Sequence, residues 1–338
     1  MTTAIANLDP VELSLVARLA AQDFDAQVQS LARFLPATEV PDIRYAYSRG
    51  IDTLVDEATY RAFDAESPIG RRPGSSRITG DLLPISRKIP LSEYAALRLR
   101  NAGNDEVING IYNDAARLAR GIAARLERAR GQLLTTGKVT LSENGLVTEY
   151  DSGRAAGLTP TALAGTAVWS DLDDSTPISD VLTWKALVKA ASGIEPNRLI
   201  VSSTTMAYLQ QNDEIRQFGQ AVNVSTTGRV GVAQVSDAFS ALASVTVEVY
   251  ETPYGMTSDP IASNKVVLLR DNVPLGVTAY GITLEAQEPE YAALGPAAGV
   301  VAGAWKTDDP INVWTKAAAI ALPLLAAPDC TLCCTVHD

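Results

Sequence analysis

One apolar stripe dominates the hydrophobic pattern of the chain and predicts a single long helix. Apolar residues recur at spacings of three and four from Ile108 to Leu133, which is the repeat of one helix face. The helix is predicted from Asp105 to Thr135, about 46 Å long at 1.5 Å per residue, with Gly137 placed to end it. The side chains predicted to pack along the stripe are Ile108, Ile111, Leu118, Ile122, Leu126 and Leu133.

Charged residues of this helix are expected to contribute little to its stability. The arginines lie mostly off the stripe, at positions 117, 120, 125, 128 and 130. The pairs Asp114–Arg117 and Glu127–Arg130 have i, i+3 spacing, and such pairs are worth roughly 0.2–0.5 kcal/mol each on a solvated helix. Apolar packing should therefore hold the helix in place.

Alternating patterns predict strands on either side of the long helix. The residues "KVTLSENGLVTEY" at 138–150 predict a hairpin with Asn144-Gly145 as its turn, because both residues tolerate positive φ. Other predicted strands are the stretch with Ile43, Tyr45 and Tyr47, and residues 198–203, 244–252, 265–271 and 276–286. Helices are predicted at 204–211 and 213–219. No internal repeat is visible, and the class is α+β with one long helix.

The start of the chain predicts an amphipathic helix. Asp9 can cap it, Pro10 suits its first turn and Glu12 can bond back to the cap. The apolar residues at roughly helical spacing are Leu15, Val16, Leu19, Val28 and Leu31. We expect them to form the apolar face of an N-terminal arm that stops before Pro36.

Residues 67–91 lack periodicity and are rich in proline, glycine and basic side chains. A loop of this length is either functional or disordered. The alternation in "LLPISRKIPLS" favours an extended two-stranded loop that projects from the body, and disorder is the alternative. Its basic residues are Arg71, Arg72, Arg77, Arg87 and Lys88.

Charge is unevenly spread over the 338 residues. The net charge is −11, with 20% charged residues, which argues against simple electrostatic binding of nucleic acid. The segments 1–60, 61–138 and 139–338 carry −5, +6 and −12. A basic middle between acidic ends suits the packing of identical chains against one another, although compositional drift would give the same pattern.

Signatures of catalysis, metal binding and membrane insertion are weak. The lone histidine, His337, lies in a terminal tail that we expect to be mobile. Cys330, Cys333 and Cys334 fit a terminal strand better than a zinc site, since a zinc knuckle needs a turn between its cysteines. The acidic run at 171–174 lacks the glycine and the closing glutamate of a calcium loop. No signal peptide is visible, and the apolar run 317–327 is too short for a bilayer. We expect no enzyme activity, no cofactor, no metal and no membrane contact.

Several blocks, taken in order, resemble the lambda-type major capsid protein family of tailed bacteriophages, which has the Hong Kong 97 capsid fold. They are "FLP" at 34–36, "AFDAESPIG" at 62–70, "GQLLTTGKV" at 131–139, "GTAVWS" at 165–170, "DSTPISD" at 174–180, "AYG" at 279–281, "WKTDDP" at 305–310 and "LPLLAAPD" at 322–329. Together they cover about residues 30–335. Their order and spacing carry the resemblance.

The resemblance implies a domain plan for an α+β, Hong Kong 97-like capsid fold. The expected parts are an N-terminal arm (1–35), an N-terminal segment of the peripheral domain (36–66), an extended loop (67–91), a peripheral domain with spine helix and hairpin (92–178), an axial domain (179–285), and a return to the peripheral domain with a C-terminal strand (286–338). The five basic loop residues would contact a neighbouring subunit, whose acidic surface they suit.

The function implied is a virion shell made in the bacterial cytoplasm. Pentamers and hexamers of the chain would assemble into an icosahedral head and contact the enclosed double-stranded DNA without sequence preference. The expected partners are a separate scaffolding protein and a portal, with a decoration protein left open. The alternatives are an encapsulin-like compartment, an enzyme using Asp171, Asp173 and Asp174, and a tail protein that forms tubes or rings.

Overall fold

The described part of the chain folds into a five-stranded and a four-stranded sheet, each packed against helices, and two two-stranded sheets. The computed structural model describes residues 8–49, 60, 61, 63, 66, 76–91, 104–221, 229–294, 298–308 and 311–338. The helices are α1 (Pro10–Asp25), α2 (Asn104–Thr136), α3 (Pro177–Ser192), α4 (Ser203–Leu209), α5 (Asp213–Ala221) and α6 (Val232–Ala243). The strands are β1 (Ala37–Glu39), β2 (Arg44–Arg49), β3 (Ser76–Asp81), β4 (Pro84–Leu91), β5 (Lys138–Glu143), β6 (Leu146–Asp151), β7 (Arg198–Ser202), β8 (Thr246–Tyr250), β9 (Lys265–Leu269), β10 (Gly276–Gly281), β11 (Val301–Asp308), β12 (Ile311–Leu325) and β13 (Thr331–Thr335).

The long strand β12 organises the first sheet, which we call the peripheral sheet. It pairs antiparallel with β4, β10 and β11, and β1 adds parallel to β10. Alternate residues of β12, including Val313, Ala317 and Ala321, belong to a core shared with α1 and α2. Because successive side chains of a strand point to opposite faces, one face of this sheet carries both helices. The sequence analysis did not predict β11 or β12.

Helix α2 is the predicted spine helix, and it runs one residue further at each end than expected. Gly137 ends it with φ of 74°, a conformation that costs glycine little. The guanidinium of Arg154 donates to the carbonyls of Leu133, Leu134 and Thr135, so a side chain from beyond the hairpin satisfies the last turn. The hairpin β5–β6 follows as predicted, with Asn144 and Gly145 at φ of 50° and 85°.

Most of the predicted stripe faces the core. Ile111, Leu118, Ile122, Leu126 and Leu133 are buried. Ile108 is only half-buried. At that end of the helix Val107 is buried instead. Positions 107, 111, 115, 118 and 122 follow one another at helical spacing and so lie on the side that faces the core.

Helix α1 begins as predicted but buries a different face. The Oδ1 atom of Asp9 accepts from the amide of Val11 at 2.9 Å. None of the buried residues of the helix is among those predicted: they are Leu13, Ser14, Ala17, Ala20, Ala21 and Phe24. Leu15 and Leu19 remain 49% and 59% exposed. Of the other predicted residues, Leu31 is buried and Val28 is exposed. The predicted face is wrong within the helix because Ser14 and three alanines, which an apolar pattern of large side chains does not include, pack closely with Leu13 and Phe24.

Strands β3 and β4 do not pair with each other, as a two-stranded loop would require. β3 pairs antiparallel with β2, in a register that joins Arg44 to Asp81 and Arg49 to Ser76. β4 joins β12 of the peripheral sheet. The expected pairing was wrong because the partner of β3 precedes it by about 30 residues, whereas the alternation in the sequence shows only that strands are present.

The second sheet, which we call the axial sheet, has the order β13-β9-β7-β8. Its two faces are both buried. Leu199, Val266 and Cys334 belong to a core with α3 and α6, whereas Ile200, Val267 and Cys333 belong to a core with the end of the spine helix. The strands predicted at 198–203, 244–252 and 265–271 are confirmed, and α3 and α6 were not predicted.

Candidate assembly surfaces

Strands β2 and β3 form a two-stranded arm whose base is fixed by tyrosines. The hydroxyl groups of Tyr47 and Tyr150 are in contact. The Leu325 amide donates to Tyr150 Oη at 3.0 Å, and Tyr47 Oη donates to the Leu325 carbonyl at 3.3 Å. Because Tyr47 donates its only hydroxyl proton to this carbonyl, Tyr150 is the donor to Tyr47, and the four groups form a closed circuit. The arm is thereby joined to the hairpin and to the end of β12.

Burial controls the ionisation of these tyrosines. Burial raises the pKa of Tyr45 to about 12. Burial, followed by the hydrogen bond to Tyr47, raises the pKa of Tyr150 far above its usual value. Tyr45 also packs its ring edge-on to Tyr150, with centroids 6.0 Å apart. The hydroxyls therefore stay protonated at alkaline pH values where an exposed tyrosine, with its pKa near 10, has begun to ionise.

A second contact fixes the arm at Arg49. Its Nη2 lies 3.4 Å from Oδ2 of Asp329, whose other oxygen accepts from the amide of Ala155 at 3.0 Å. The guanidinium crosses Gly153, where a Cβ would lie 2.6 Å from Nη1. Gly153 also has φ of 71°. Glycine is favoured at this position by its backbone conformation, and any side chain here would also displace the Arg49 guanidinium.

The basic residues predicted for the extended loop are not gathered at one place. Arg77 lies on β3 of the arm, exposed, opposite Ser48. Arg87 and Lys88 are exposed on β4, where consecutive side chains point to opposite faces of the peripheral sheet. Lys88 Nζ lies 4.4 Å from the ring centroid of Trp314. Arg71 and Arg72 lie outside the described residues.

A cleft of about 350 Å³ opens between the hairpin, β4 and the spine helix. Its walls include Ile85, Leu126, Leu141 and Leu146. The next residue of the hairpin, Val147, is 82% exposed. This region combines an apolar cleft with an exposed apolar side chain.

A buried ion cluster joins the N-terminal helix to the spine helix. Arg130 Nη1 lies 2.7 Å from Asp25 Oδ1 and 3.2 Å from Glu127 Oε2. Both Arg130 and Glu127 have 0% exposure. The expectation that Arg130 lies off the packed face was wrong, so the free energy of a solvated pair, a few tenths of a kcal/mol, is not the appropriate one for Glu127–Arg130. Helical periodicity could not show that Asp25 and other polar groups cover this side of the helix.

Further partners link the same cluster to three other segments. Glu127 accepts from the Leu31 amide at 2.7 Å, from Ser30 Oγ at 3.1 Å and from Tyr250 Oη at 3.3 Å. Arg130 Nε donates to Thr278 Oγ1 at 3.0 Å. The cluster thus connects the segment before β1, the axial strand β8 and the peripheral strand β10.

Electrostatics in the cluster follow from burial and pairing. Burial raises the pKa of Glu127, and the charge of Arg130 and the hydrogen bonds from Leu31 and Ser30 oppose the rise. Burial acts to lower the pKa of Arg130, but hydrogen bonds and charge from Asp25, with the charge of Glu127, outweigh it and raise the pKa. Arg130 is therefore charged at every relevant pH.

The acidic run at 171–174 and the three cysteines are the remaining candidates for catalysis or metal binding from the sequence. Asp171 Oδ1 accepts from the amides of Asp173 and Asp174 at 3.3 and 3.2 Å, as a carboxylate does in a tight turn. Cys330, Cys333 and Cys334 are free and buried. Within the described segments, no three His, Cys, Asp or Glu residues are grouped so as to hold a metal.

His337 is placed differently from the expectation of a mobile tail. Its side chain is buried, and Nε2 lies 3.1 Å from the carbonyl of Ser263. The ring packs edge-on to Tyr208. The expectation was wrong because the terminal strand β13 pairs with β9 at the edge of the axial sheet, and the next amide, that of Val336, donates to the carbonyl of Asn264 at 2.9 Å.

None of the helices in the described part of the chain has the length and apolarity to cross a bilayer.

Comparisons with known proteins place this architecture in a family. The chain is similar to a putative capsid protein of a prophage of Escherichia coli CFT073, at 16% identity and TM-score 0.61, over 94% of this chain and 97% of that one. It is also similar to a phage-related protein from Bordetella bronchiseptica RB50, at 14% identity and TM-score 0.54, over 94% and 95%. A protein of the satellite phage P4 procapsid matches at 8% identity and TM-score 0.54, over 96% and 90%. At these identities the likeness shows the fold.

No curated protein matches the sequence. The family model described as phage major capsid protein E matches residues 34–336. That range contains both sheets, the spine helix and the hairpin. The chain therefore belongs to the phage major capsid protein E family and is built on the Hong Kong 97-like capsid fold.

Proposed function

We propose that this chain assembles as pentamers and hexamers into an icosahedral head around double-stranded DNA. The observation that carries the proposal is the match to a major capsid family over nearly the whole fold, residues 34–336. A capsid subunit has to self-assemble into a closed shell. The proposal adds the arrangement of the subunits and the nature of the contents.

The arm β2–β3 is the element we assign to contact with a neighbouring subunit. Its base is fixed by the tyrosine circuit and by Arg49–Asp329, so its direction is set before assembly. We propose that the extended loop has its two sides at 44–49 and 76–81, and that β4 belongs to the peripheral domain. The axial domain that gathers around the five- and six-fold axes would then be residues 179–275 with the terminal strand β13, because β10, at the end of the expected range 179–285, pairs in the peripheral sheet.

Contacts between subunits would combine charge and apolar burial. We propose that Arg71, Arg72, Arg77, Arg87 and Lys88 meet acidic surface on adjacent chains. Exposed ion pairs are worth only about 0–1 kcal/mol each, so they would fix register and partner choice. Apolar burial, at roughly 25 cal/mol per Å², would supply most of the free energy. The exposed Leu15, Leu19 and Val147 are available for it.

Other partners follow from the same proposal. A separate scaffolding protein would set shell size, a portal would occupy one vertex, and a decoration protein is compatible with the outer surface. The net charge of −11 limits unspecific adhesion of the DNA to the shell. The DNA would therefore be contacted weakly and without sequence preference.

The content of purified particles tests the proposal. Particles isolated from infected or induced host cells should protect double-stranded DNA from nuclease, in the amount expected for a filled head. Protein cargo in place of DNA would identify a compartment of the encapsulin type. Reversing both Arg71 and Arg72 to Glu tests the charge contacts, and normal shells from that variant would count against them.

A further inference from the structure

The exposed face of the spine helix has a charge pattern that changes sign along its length. This face lies opposite the packed stripe, and its residues follow one another at spacings of three and four. They are Glu106, Gly110, Asn113, Arg117, Gly121, Ala124 and Arg128, with Asp114 and Arg120 at the two borders. All are exposed except Asp114 and Ala124, which are half-buried. At 1.5 Å per residue, Glu106 and Arg128 are about 33 Å apart.

The acidic side chains lie at the N-terminal end of this face and the basic ones at the C-terminal end. Among the described residues, the ion pairs of this helix use Arg125 and Arg130, but not Glu106, Arg120 or Arg128. Asp114 is near enough to Arg117 for that charge to oppose the burial-driven rise in its pKa. The outer charges of the face are thus available to another molecule.

The pattern is self-complementary when the helix is turned end over end about Arg117. Eleven residues separate Arg117 from Glu106 in one direction and from Arg128 in the other, so these two side chains come opposite each other in an antiparallel pair. Asp114 and Arg120 lie three residues on either side of the same centre, but on opposite borders of the face, so they flank the contact and do not meet across it. Each copy thus offers Glu106 where the other offers Arg128.

Small residues allow the two helices to approach. Gly110 falls opposite Ala124, and Asn113 falls opposite Gly121 in the same register. A Cβ built at Gly110 or Gly121 would meet no atom within 4 Å, so the space above both glycines is open. Helices that meet through small residues reach the lower end of the usual interaxial range of about 8–10 Å.

We propose that this face packs antiparallel against the same face of a second copy, around a two-fold axis that passes beside Arg117. The proposal rests on the assembly function above, because an icosahedral shell places neighbouring capsomers around two-fold axes. An isologous contact needs a self-complementary surface, and this face is one. The two Arg117 side chains at the axis are each offset by Asp114 of their own helix.

A polyanion is the competing occupant, and the charges disfavour it. DNA phosphates would suit Arg117, Arg120 and Arg128. They would be repelled by Glu106 and Asp114 on the same face. A second copy uses both halves of the pattern, and DNA uses one.

A charge swap tests the contact. Arg128→Glu replaces two attractive pairs by two repulsive ones in each symmetric contact, and should raise the protein concentration needed for assembly about ten-fold. Glu106→Arg combined with Arg128→Glu restores both pairs in the same chain and should recover wild-type assembly. A double variant that assembles no better than Arg128→Glu would overturn the proposal.

Cysteine cross-linking tests the position of the axis. Helices about 8–10 Å apart place the two Arg117 Cα atoms within about 4–6 Å, a separation that a disulfide spans. Arg117→Cys should form covalent dimers in oxidised shells, and Gly110→Cys, about 21 Å from its own copy, should not. The three native cysteines are buried, and the wild-type protein gives the background level of disulfide-linked dimers.

Each outcome separates this inference from the function on which it rests. Normal shells without Arg117→Cys dimers, or with equal cross-linking at Gly110→Cys, overturn the helix pairing and leave the shell function intact. A variant Arg128→Glu that assembles normally but loses packaged DNA would assign the face to DNA and overturn the pairing. If the wild-type chain forms no shells, the proposed assembly function itself is contradicted.

Discussion

Arg130 and Glu127 lie one turn apart on the spine helix with both side chains fully buried, and Nη1 lies 3.2 Å from Oε2. Asp25 of the N-terminal helix completes the pairing at 2.7 Å and 3.1 Å. A buried charge that loses its partner is strongly destabilising. The N-terminal helix, the spine helix and the axial strand with Tyr250 are therefore fixed relative to one another by one polar cluster.

Replacing the buried arginine should lower the stability of the unassembled subunit. Arg130→Met leaves Asp25 and Glu127 without their cation and should reduce the free energy of unfolding by about 3–5 kcal/mol. Arg125→Met is the matched control, because its partner Glu143 is exposed, and should cost less than about 1 kcal/mol. Denaturant unfolding measures both, and equal losses would contradict the importance of the cluster.

The tyrosine circuit predicts a difference between two tyrosines of the arm base. Tyr150→Phe leaves the buried Leu325 amide without its acceptor and should cost about 1–3 kcal/mol. Tyr45→Phe should cost less, since none of the hydrogen bonds of the circuit uses its hydroxyl. Thermal unfolding, with hydrogen exchange at Leu325, checks the result. Unchanged protection of that amide in Tyr150→Phe would refute the circuit.

Two glycines of the spine helix should respond in opposite directions to alanine. At Gly131 a Cβ would lie 2.3 Å from the carbonyl oxygen of Pro260, whereas Gly121 has no atom within 4 Å. Gly121→Ala should stabilise the unassembled chain by about 0.5–1 kcal/mol, the helix preference for alanine. Gly131→Ala should destabilise it. Denaturant midpoints give the signs, and stabilisation by both would disprove the close approach at Pro260.

The buried face of the N-terminal helix predicts unequal effects of neighbouring leucines. Leu13 is fully buried and Leu15 is half exposed. Leu13→Ala should therefore lower the free energy of unfolding by about 2–5 kcal/mol, and Leu15→Ala should change it by less than about 0.5 kcal/mol. A larger loss in Leu15→Ala than in Leu13→Ala, measured by chemical denaturation, would show that the face predicted from the sequence is the buried one.

Alkaline pH should destabilise the subunit through its buried tyrosines. Burial raises the pKa of Tyr45 and of Tyr280 to about 12, from 10.0. Between these values the unfolded chain has released protons that the folded chain keeps. The free energy of unfolding should therefore be insensitive to these groups below pH 10 and fall as the pH rises towards 12. Denaturant midpoints across this range measure the slope.

The variant Tyr45→Phe should reduce that slope, and Tyr254→Phe, which alters an exposed side chain, should leave it unchanged. Equal slopes for wild type and Tyr45→Phe would show that Tyr45 does not contribute.

Local patterns in the sequence predicted the elements that depend on local contacts. The spine helix and the Asn144–Gly145 hairpin are set by periodicity and turn chemistry, and both are found within one residue of their predicted bounds. The pairing of β3 with β2, and of β4 with β12, depends on contacts far apart along the chain. Alternation predicts that a strand exists, and it does not identify the partner.

The functional surfaces were harder to predict for a related reason. Arg130 resembles its neighbour Arg128 in the sequence, yet one is buried and the other exposed. The difference comes from Asp25, which lies 105 residues earlier. The i, i+3 spacing of Glu127 and Arg130 signals the pair in the sequence, but the same spacing is typical of exposed pairs and does not show burial.

Electron microscopy of the purified chain, expressed alone and with a scaffolding protein, tests the central claim most directly. The account predicts closed polyhedral shells of uniform size in at least one of these preparations. Discrete small oligomers, tubes or open rings in both preparations would contradict it.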